Sequence, residues 1–297
     1  MAYLNENLSH PKFAVLLAAY NGMAFIEEQV QSILEQKNVS VILFISVDLS
    51  SDGTYEWCCD FADKDSRITV LPYGEKFGGA APNFYRLIRE VDFSGFDYVA
   101  LSDQDDIWLE DKLFTAYSVL KENEWQAYSS NVMAFWDDGR ELLIDKAQPQ
   151  RKYDYLFEAA GPGCTYVFSV EILNHFKKHL ISTWQLVEQI TLHDWLIYAF
   201  FRANDYRWYI DKDYKMLYRQ HYDNQVGINK GVVAARKRFK LLKNGWYRKQ
   251  VINISLFLQK DATTFNSRWL LLKNINQLRR KLSDRIFLFF IALVGLY

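Results

Sequence analysis

The chain is predicted to fold as an α/β domain around a mainly parallel sheet, and three observations carry that prediction. Through the first hundred residues, short apolar runs of strand length alternate with amphipathic stretches of helical spacing. Turn-forming Asn, Ser, Asp and Gly residues separate the two kinds of segment. Half of the 297 residues are apolar and 16% are aromatic, enough for a sizeable core, which excludes a chain disordered throughout.

Residues 13–18 (FAVLLA) read as a first buried strand, followed by a turn at Asn21-Gly22. Met23, Ile26, Val30, Ile33 and Leu34 share one helical face, so a helix is expected over 23–34. Residues 41–47 (VILFISV) form a second strand, ended by Ser50-Ser51-Asp52-Gly53, and residues 68–71 a short third. Pro82 suits the first position of a helix that carries Phe84, Leu87, Ile88 and Val91 on one face. Residues 98–101 make the fourth strand. From Ala127 to His221 the pattern is less regular, with strand-like 164–168 and 214–218 and helical 170–180 and 193–202.

The densest chemistry is Ser102-Asp103-Gln104-Asp105-Asp106-Ile107-Trp108, directly after the fourth strand. Carboxylates this close raise one another's pKa unless a cation lies among them. Mg²⁺ and Mn²⁺ take oxygen ligands and are often held by one or two carboxylates together with substrate phosphates. The motif therefore points to a metal–diphosphate site, while an acidic turn capping a helix near Leu109 explains the same residues. In parallel sheets ligands bind beyond the carboxyl ends of the strands, where Tyr20, Asn21, Asp48 and this cluster would gather.

The net charge of −1 conceals an asymmetry. Residues 1–229 hold 20 Lys and Arg against 34 Asp and Glu, whereas residues 230–297 hold 15 against Asp261 and Asp284 alone. The expected division is a globular domain over 1–229 and a basic helical extension over 230–297. Residues 230–250 interleave eight cations with Phe239, Leu241, Leu242, Trp246 and Tyr247, a composition suited to an anionic membrane interface. The uncharged end, residues 286–297 (IFLFFIALVGLY), is shorter than the ~20 residues of a bilayer span. A monotopic anchor or partner-helix contact is expected there, with ordinary helical packing as the alternative. No nucleic-acid motif accompanies the basic residues, so nucleic acid is not expected as a partner. Cys58, Cys59 and Cys164 lack metal or disulfide spacing, and residues 1–11 lack the apolar core of a signal peptide. The expected location is cytoplasmic, peripheral on the inner face of the plasma membrane.

Four signals occur in order: Ala19-Tyr20-Asn21-Gly22, then Asp48-Leu49-Ser50-Ser51-Asp52-Gly53-Thr54, then the acidic motif, then His193-Asp194-Trp195-Leu196. Together they resemble glycosyltransferase family 2, inverting enzymes with the GT-A fold, a Rossmann-like nucleotide-diphospho-sugar transferase domain. The Asp-Gln-Asp-Asp-Ile-Trp and His-Asp-Trp forms are most similar to its bacterial rhamnosyltransferase-like branch. Tyr218-Arg219-Gln220-His221, followed by Asn224 and Val226-Gly227, adds a fifth signal, and Gly161-Pro162-Gly163-Cys164-Thr165 resembles that branch's acceptor-side segment. The chain departs from the family pattern at Val47-Asp48, one carboxylate where two are usual, and at residues 75–79, where an Asn-x-Gly turn is usual.

The resemblance implies a metal-dependent inverting transfer, of L-rhamnose from dTDP-rhamnose to a polyprenyl-diphosphate-linked saccharide in surface polysaccharide (O-antigen or capsule) synthesis. It assigns Asp194 as the general base that takes the acceptor hydroxyl's proton. Asp105 and His221 would bind Mg²⁺ or Mn²⁺. Ala19, Tyr20, Asn21, Asp48, Asp103, Gln104, Asp106 and Arg219 would bind the nucleotide sugar, with Tyr20 stacking on the base, Asp48 hydrogen-bonding it and Arg219 on phosphate. Gly163, Cys164, His193 and Trp195 would meet the acceptor. Bland readings stand beside these: Asp106 and Asp194 as helix caps, Asn21 as a turn residue, Trp108 as packing. A UDP-hexose transferase of the same fold is the near rival, and a noncatalytic membrane-docked binding module the distant one.

Overall fold

In the computed structural model, which describes residues 10–221, 240–261, 267–295 and 297, the uninterrupted apolar runs become the centre of a nine-stranded mixed sheet. β1 (Lys12–Ala19) lies between β2 (Ser40–Val47) and β4 (Tyr98–Ser102), with β3 (Ile68–Val70) outside β2, all parallel. Alternate residues of β1 enter opposite cores, as a period of two requires. Phe13, Val15 and Leu17 meet α1 (Ile26–Leu34) and α2 (Thr54–Ala62), while Ala14, Leu16 and Ala18 meet α3 (Ala80–Glu90). Pro82 is the third residue of α3 rather than the first, still within the turn whose N–H groups have no intrahelical acceptor.

After β4 the chain forms β5 (Ile107–Trp108), α4 (Lys112–Glu122), β6 (Ala127–Phe135), β7 (Glu141–Ile144) and β8 (Val167–Ser169). The helices α5 (Val170–Ser182), α6 (Trp184–Val187) and α7 (His193–Ala203) follow, then β9 (Trp208–Arg219). The sheet order is β3-β2-β1-β4-β8-β6-β9-β5, with β7 on β6. β6 holds this half together by pairing with β7, β8 and β9, yet its Ser129, Ser130 and Asn131 disguise it as a loop. Tertiary partners make that polarity tolerable: Trp208 Nε1 donates to Ser129 Oγ at 2.9 Å, and Asn131 bonds the Lys212 carbonyl and the Lys146 amide, both at 2.7 Å.

Three C-terminal helices, α8 (Trp246–Phe257), α9 (Arg268–Asn274) and α10 (Leu282–Leu293), pack on the α3 side of the sheet. Ile254, Phe257, Leu271 and Leu288 join Phe176, Tyr198 and Phe200 in one apolar cluster. Arg280, 2% exposed, bonds the Ala159 carbonyl at 2.7 Å, and its charge faces Asp154 (3.4 Å) and Glu158 (3.7 Å). The basic residues 230–239, with Asn224 and Val226-Gly227, lie outside the described residues.

Candidate active site

Parallel order brings the carboxyl ends of β1, β2 and β4 side by side, and side chains stitch the loops that leave them. The Gln104 amide clasps the Tyr20 backbone, accepting from its N–H at 2.6 Å and donating to its carbonyl at 2.8 Å. Asn21, at φ +46°, takes Ser50 Oγ on its N–H and the Ser51 amide on Oδ1, so its turn role is structural fact. Ala19 closes β1, its carbonyl accepting from the Asp48 amide at 2.8 Å. The Tyr20 ring stands 53% exposed beside them, open to a planar ligand. Asp48 is 3% exposed, and its two oxygens accept the amides of Leu49 (2.7 Å), Phe77 and Gly78 (both 2.8 Å). That carboxylate is therefore occupied in shaping the 77–78 loop rather than pointing into open space.

The acidic cluster is not a helix cap, because α4 starts at Lys112 with Asp111 before it. β9 carries Arg219 and His221 to it from more than a hundred residues away. His221 Nε2 and Asp105 Oδ2 converge at 2.7 Å, Arg219 Nε donates to the Asp105 carbonyl at 2.9 Å, and the Arg219 guanidinium pairs with Glu28. Asp106 is fully buried, takes the Arg219 amide on Oδ1 at 3.3 Å, and has no hydrogen bond at Oδ2. Ligand atoms of Asp103, Asp106 and Cys164 lie within 4.8 Å of one another. Burial, then the charge of Asp105, pushes the Asp103 carboxyl up to about 7; burial, then Asp105 and Asp103, also pushes Asp106 well above the usual carboxylate range. An orphaned buried carboxylate oxygen among mutually repelling acids fits a hard divalent cation. The Cys164 thiol is soft, and burial followed by the neighbouring carboxylates raises its pKa, so it stays protonated.

Lys112 is a member of this site that sequence reasoning missed. It is fully buried, with Nζ 3.5 Å over the Trp108 ring, and Asp106 is the acid whose charge acts on it. Burial lowers its pKa to about 7. Trp108, 3% exposed, packs beneath the loop as the bland reading had it.

Asp194 is the second residue of α7; Leu192, not Asp194, is the residue before the helix. Its Oδ1 accepts the Trp195 amide at 2.7 Å. Burial raises its pKa to about 6, opposed by Lys146, a second residue the sequence reading missed. The Asp194 charge contributes to the elevation of Asp103, so the two carboxyls are within electrostatic reach of each other. The neighbouring His193 is 8% exposed, stacks on Phe84 at 4.1 Å, and is held neutral by burial, which lowers its pKa to about 3. Its Nε2 lies directly against Gly163, where a Cβ would collide. Gly163, Cys164 and Trp195, expected at the acceptor, are all buried and offer it no surface. Trp195 instead donates to the Tyr155 carbonyl at 2.9 Å and stacks on Tyr247 of α8. A cleft of about 630 Å³ near the start of β9, lined by Trp125, Lys152, Tyr155, Arg202 and Trp208, holds none of these residues.

The family model described as glycosyl transferase family 2 matches residues 14–176, which covers β1 through most of α5. The chain belongs to glycosyltransferase family 2. It is 46% identical over 289 residues to the dTDP-rhamnosyl transferase RfbG of Shigella flexneri, spanning 95% of this chain and 100% of the relative. At 95% of the chain, that match extends well beyond the family segment. Among solved structures, TarS 1–349 of S. aureus with UDP superposes with a TM-score of 0.56 at 13% identity, covering 89% of this chain and 71% of that one. The mannosyltransferase PcManGT of Pyrobaculum calidifontis, with GDP-Man and Mn²⁺, gives 0.53 at 18% identity, covering 98% and 82%. At that identity the likeness establishes the GT-A architecture of this family 2 glycosyltransferase.

Proposed function

We propose that this glycosyltransferase moves L-rhamnose from dTDP-rhamnose, with inversion, to a saccharide carried on polyprenyl diphosphate at the inner face of the plasma membrane, in surface polysaccharide synthesis. The observation that carries the donor is the 46% identity, over 95% of this chain, with a relative named for dTDP-rhamnosyl transfer. The chemistry rests on the acidic cluster after β4 and on Asp194. Asp105 and His221, with Asp103 and Asp106 beside them, would hold Mg²⁺ or Mn²⁺, which when bound neutralises charge growing on the leaving diphosphate. Arg219 buttresses that ligand loop through the Asp105 carbonyl and the Asp106 carboxylate, and Tyr20 offers its ring to the base. Asp194 takes the proton of the acceptor hydroxyl as it attacks the anomeric carbon from the side opposite the nucleotide. With its pKa near 6 it is ionised at neutral pH and still basic enough to accept.

Purified protein given dTDP-rhamnose, or UDP-hexoses in parallel, with Mg²⁺ or Mn²⁺ and a lipid-linked acceptor, tests the reading. Rhamnosyl product of inverted anomeric configuration, lost on chelation, is the expected result. Turnover of a UDP-hexose alone would replace the donor assignment, and no turnover with any donor would remove the catalytic reading.

A further inference from the structure

Large apolar side chains are left in water at one place above all. Of seventeen large hydrophobic residues exposed among the described residues, nine belong to α9, α10 and the residue after α10. Leu288, Ile291 and Ala292 turn α10 toward the core, while Ile286 (50% exposed), Phe287 (57%), Phe290 (58%), Leu293 (44%) and Val294 (67%) point away from it. Helical spacing makes these a continuous ridge. Trp269, 74% exposed, belongs to the same ridge, because Arg268 Nη1 bonds the Leu293 carbonyl at 3.3 Å and so ties the start of α9 to the end of α10. A contiguous apolar patch on a folded protein marks an interaction surface.

Charge decides what covers it. Arg268, Lys273 and Lys281 are exposed on or beside these helices. The one acid there, Asp284, is engaged by Arg279 at 3.0 Å. An aromatic ridge bordered by cations matches the interfacial zone of an anionic bilayer, where apolar groups sink ~5–10 Å and Lys and Arg meet headgroups. No helix of the described residues is long and apolar enough to cross a membrane, so the ridge lies on the surface. We infer that the outer face of α9 and α10 is the membrane-docking surface of the protein, an aromatic wedge with a cationic rim that seats on anionic lipid. Rigid attachment gives the contact a consequence for the site. Arg279 joins the base of α10 to the Phe157 carbonyl at 2.7 Å, and Lys146, whose charge acts on Asp194, also feels the charges of Arg279 and Asp284. The docked face is thereby fixed relative to the acceptor side, whatever donor the site takes.

Vesicle flotation of the full chain tests this, using phosphatidylcholine alone and phosphatidylcholine with about one third phosphatidylglycerol. The wild type should float with the anionic vesicles and far less with the neutral ones. The double variant Phe287→Glu/Phe290→Glu should lose at least about tenfold in partitioning, with unchanged melting temperature and unchanged donor hydrolysis. Trp269→Glu, on the other helix, should reproduce the loss and decides the matter if the double variant fails to fold. Equal binding to neutral vesicles, undiminished binding by the variants, or a wild-type dimer in solution that the variants dissociate would each overturn the assignment. None of these readouts depends on rhamnose, so failure here is distinguishable from failure of the donor reading.

Discussion

Asp194 shows how one residue is tuned by its surroundings. A lone Asp in water is too weak a base to help a hydroxyl, and burial moves this one up to about 6. Transfer should therefore fall as pH drops below about 6, which a kcat profile measures. Asp194→Asn should lower kcat by roughly 10²–10⁴-fold while nucleotide-sugar binding persists. Stability should respond with the opposite sign. The folded state holds the Asp194 proton more tightly than the unfolded chain, so this group's contribution improves as pH falls through about 6 and is unfavourable above it. The Asn variant should melt no lower than wild type at neutral pH. Lys146→Met removes the cation that opposes the elevation, and the acidic limb of the same profile should move upward. Asp194 was legible in the sequence from a motif; Lys146 was not, because its proximity comes from a loop after β7 that carries no pattern of its own.

At the scale of elements, apolar run length separated what was legible from what was not. β1, β2 and β4 announce themselves because both of their faces are covered, so nearly every residue is apolar. β6 is as buried as they are, but its Ser129 and Asn131 bond to Trp208 and Lys212 of β9 and to Lys146, partners invisible at local range. The segment joining α9 to α10 is a comparable case. Arg280 reads as one more basic residue of a cationic tail, yet it is buried against Asp154 and Glu158. Removing one partner of such a network strands the others, so Arg280→Ala should cost about 3–5 kcal/mol in denaturant unfolding. A nearby exposed cation, Lys281→Ala, should change stability by less than about 0.5 kcal/mol in the same measurement.

Across the whole molecule, the basic tail has two faces with different duties. The inner face of α8, α9 and α10 completes the core cluster of Phe176, Tyr198 and Phe200. Deleting residues 240–297 should therefore leave a large apolar surface uncovered, and soluble expression of the shortened chain should collapse relative to full length. Substitution of the outer face, not truncation, is the way to separate docking from folding. The family match ends at residue 176, while the match to the Shigella relative takes in 95% of the chain.

The sequence by itself determined the parallel core strands, the acidic turn after β4, the family and the residue types of the reaction, because periodicity and motifs are local properties. Only the tertiary structure decided which carboxylates group together. It placed His221 on Asp105 across 116 residues, and it gathered Asp103, Asp106, Cys164 and Lys112 in one buried space. It also turned Asp48 to the 77–78 loop, buried Trp195 against α8, and divided the tail into a core side and an exposed ridge. The physical reason is common to all of these. Burial and charge coupling depend on what packs against a residue, and in this fold those neighbours come from distant strands and helices.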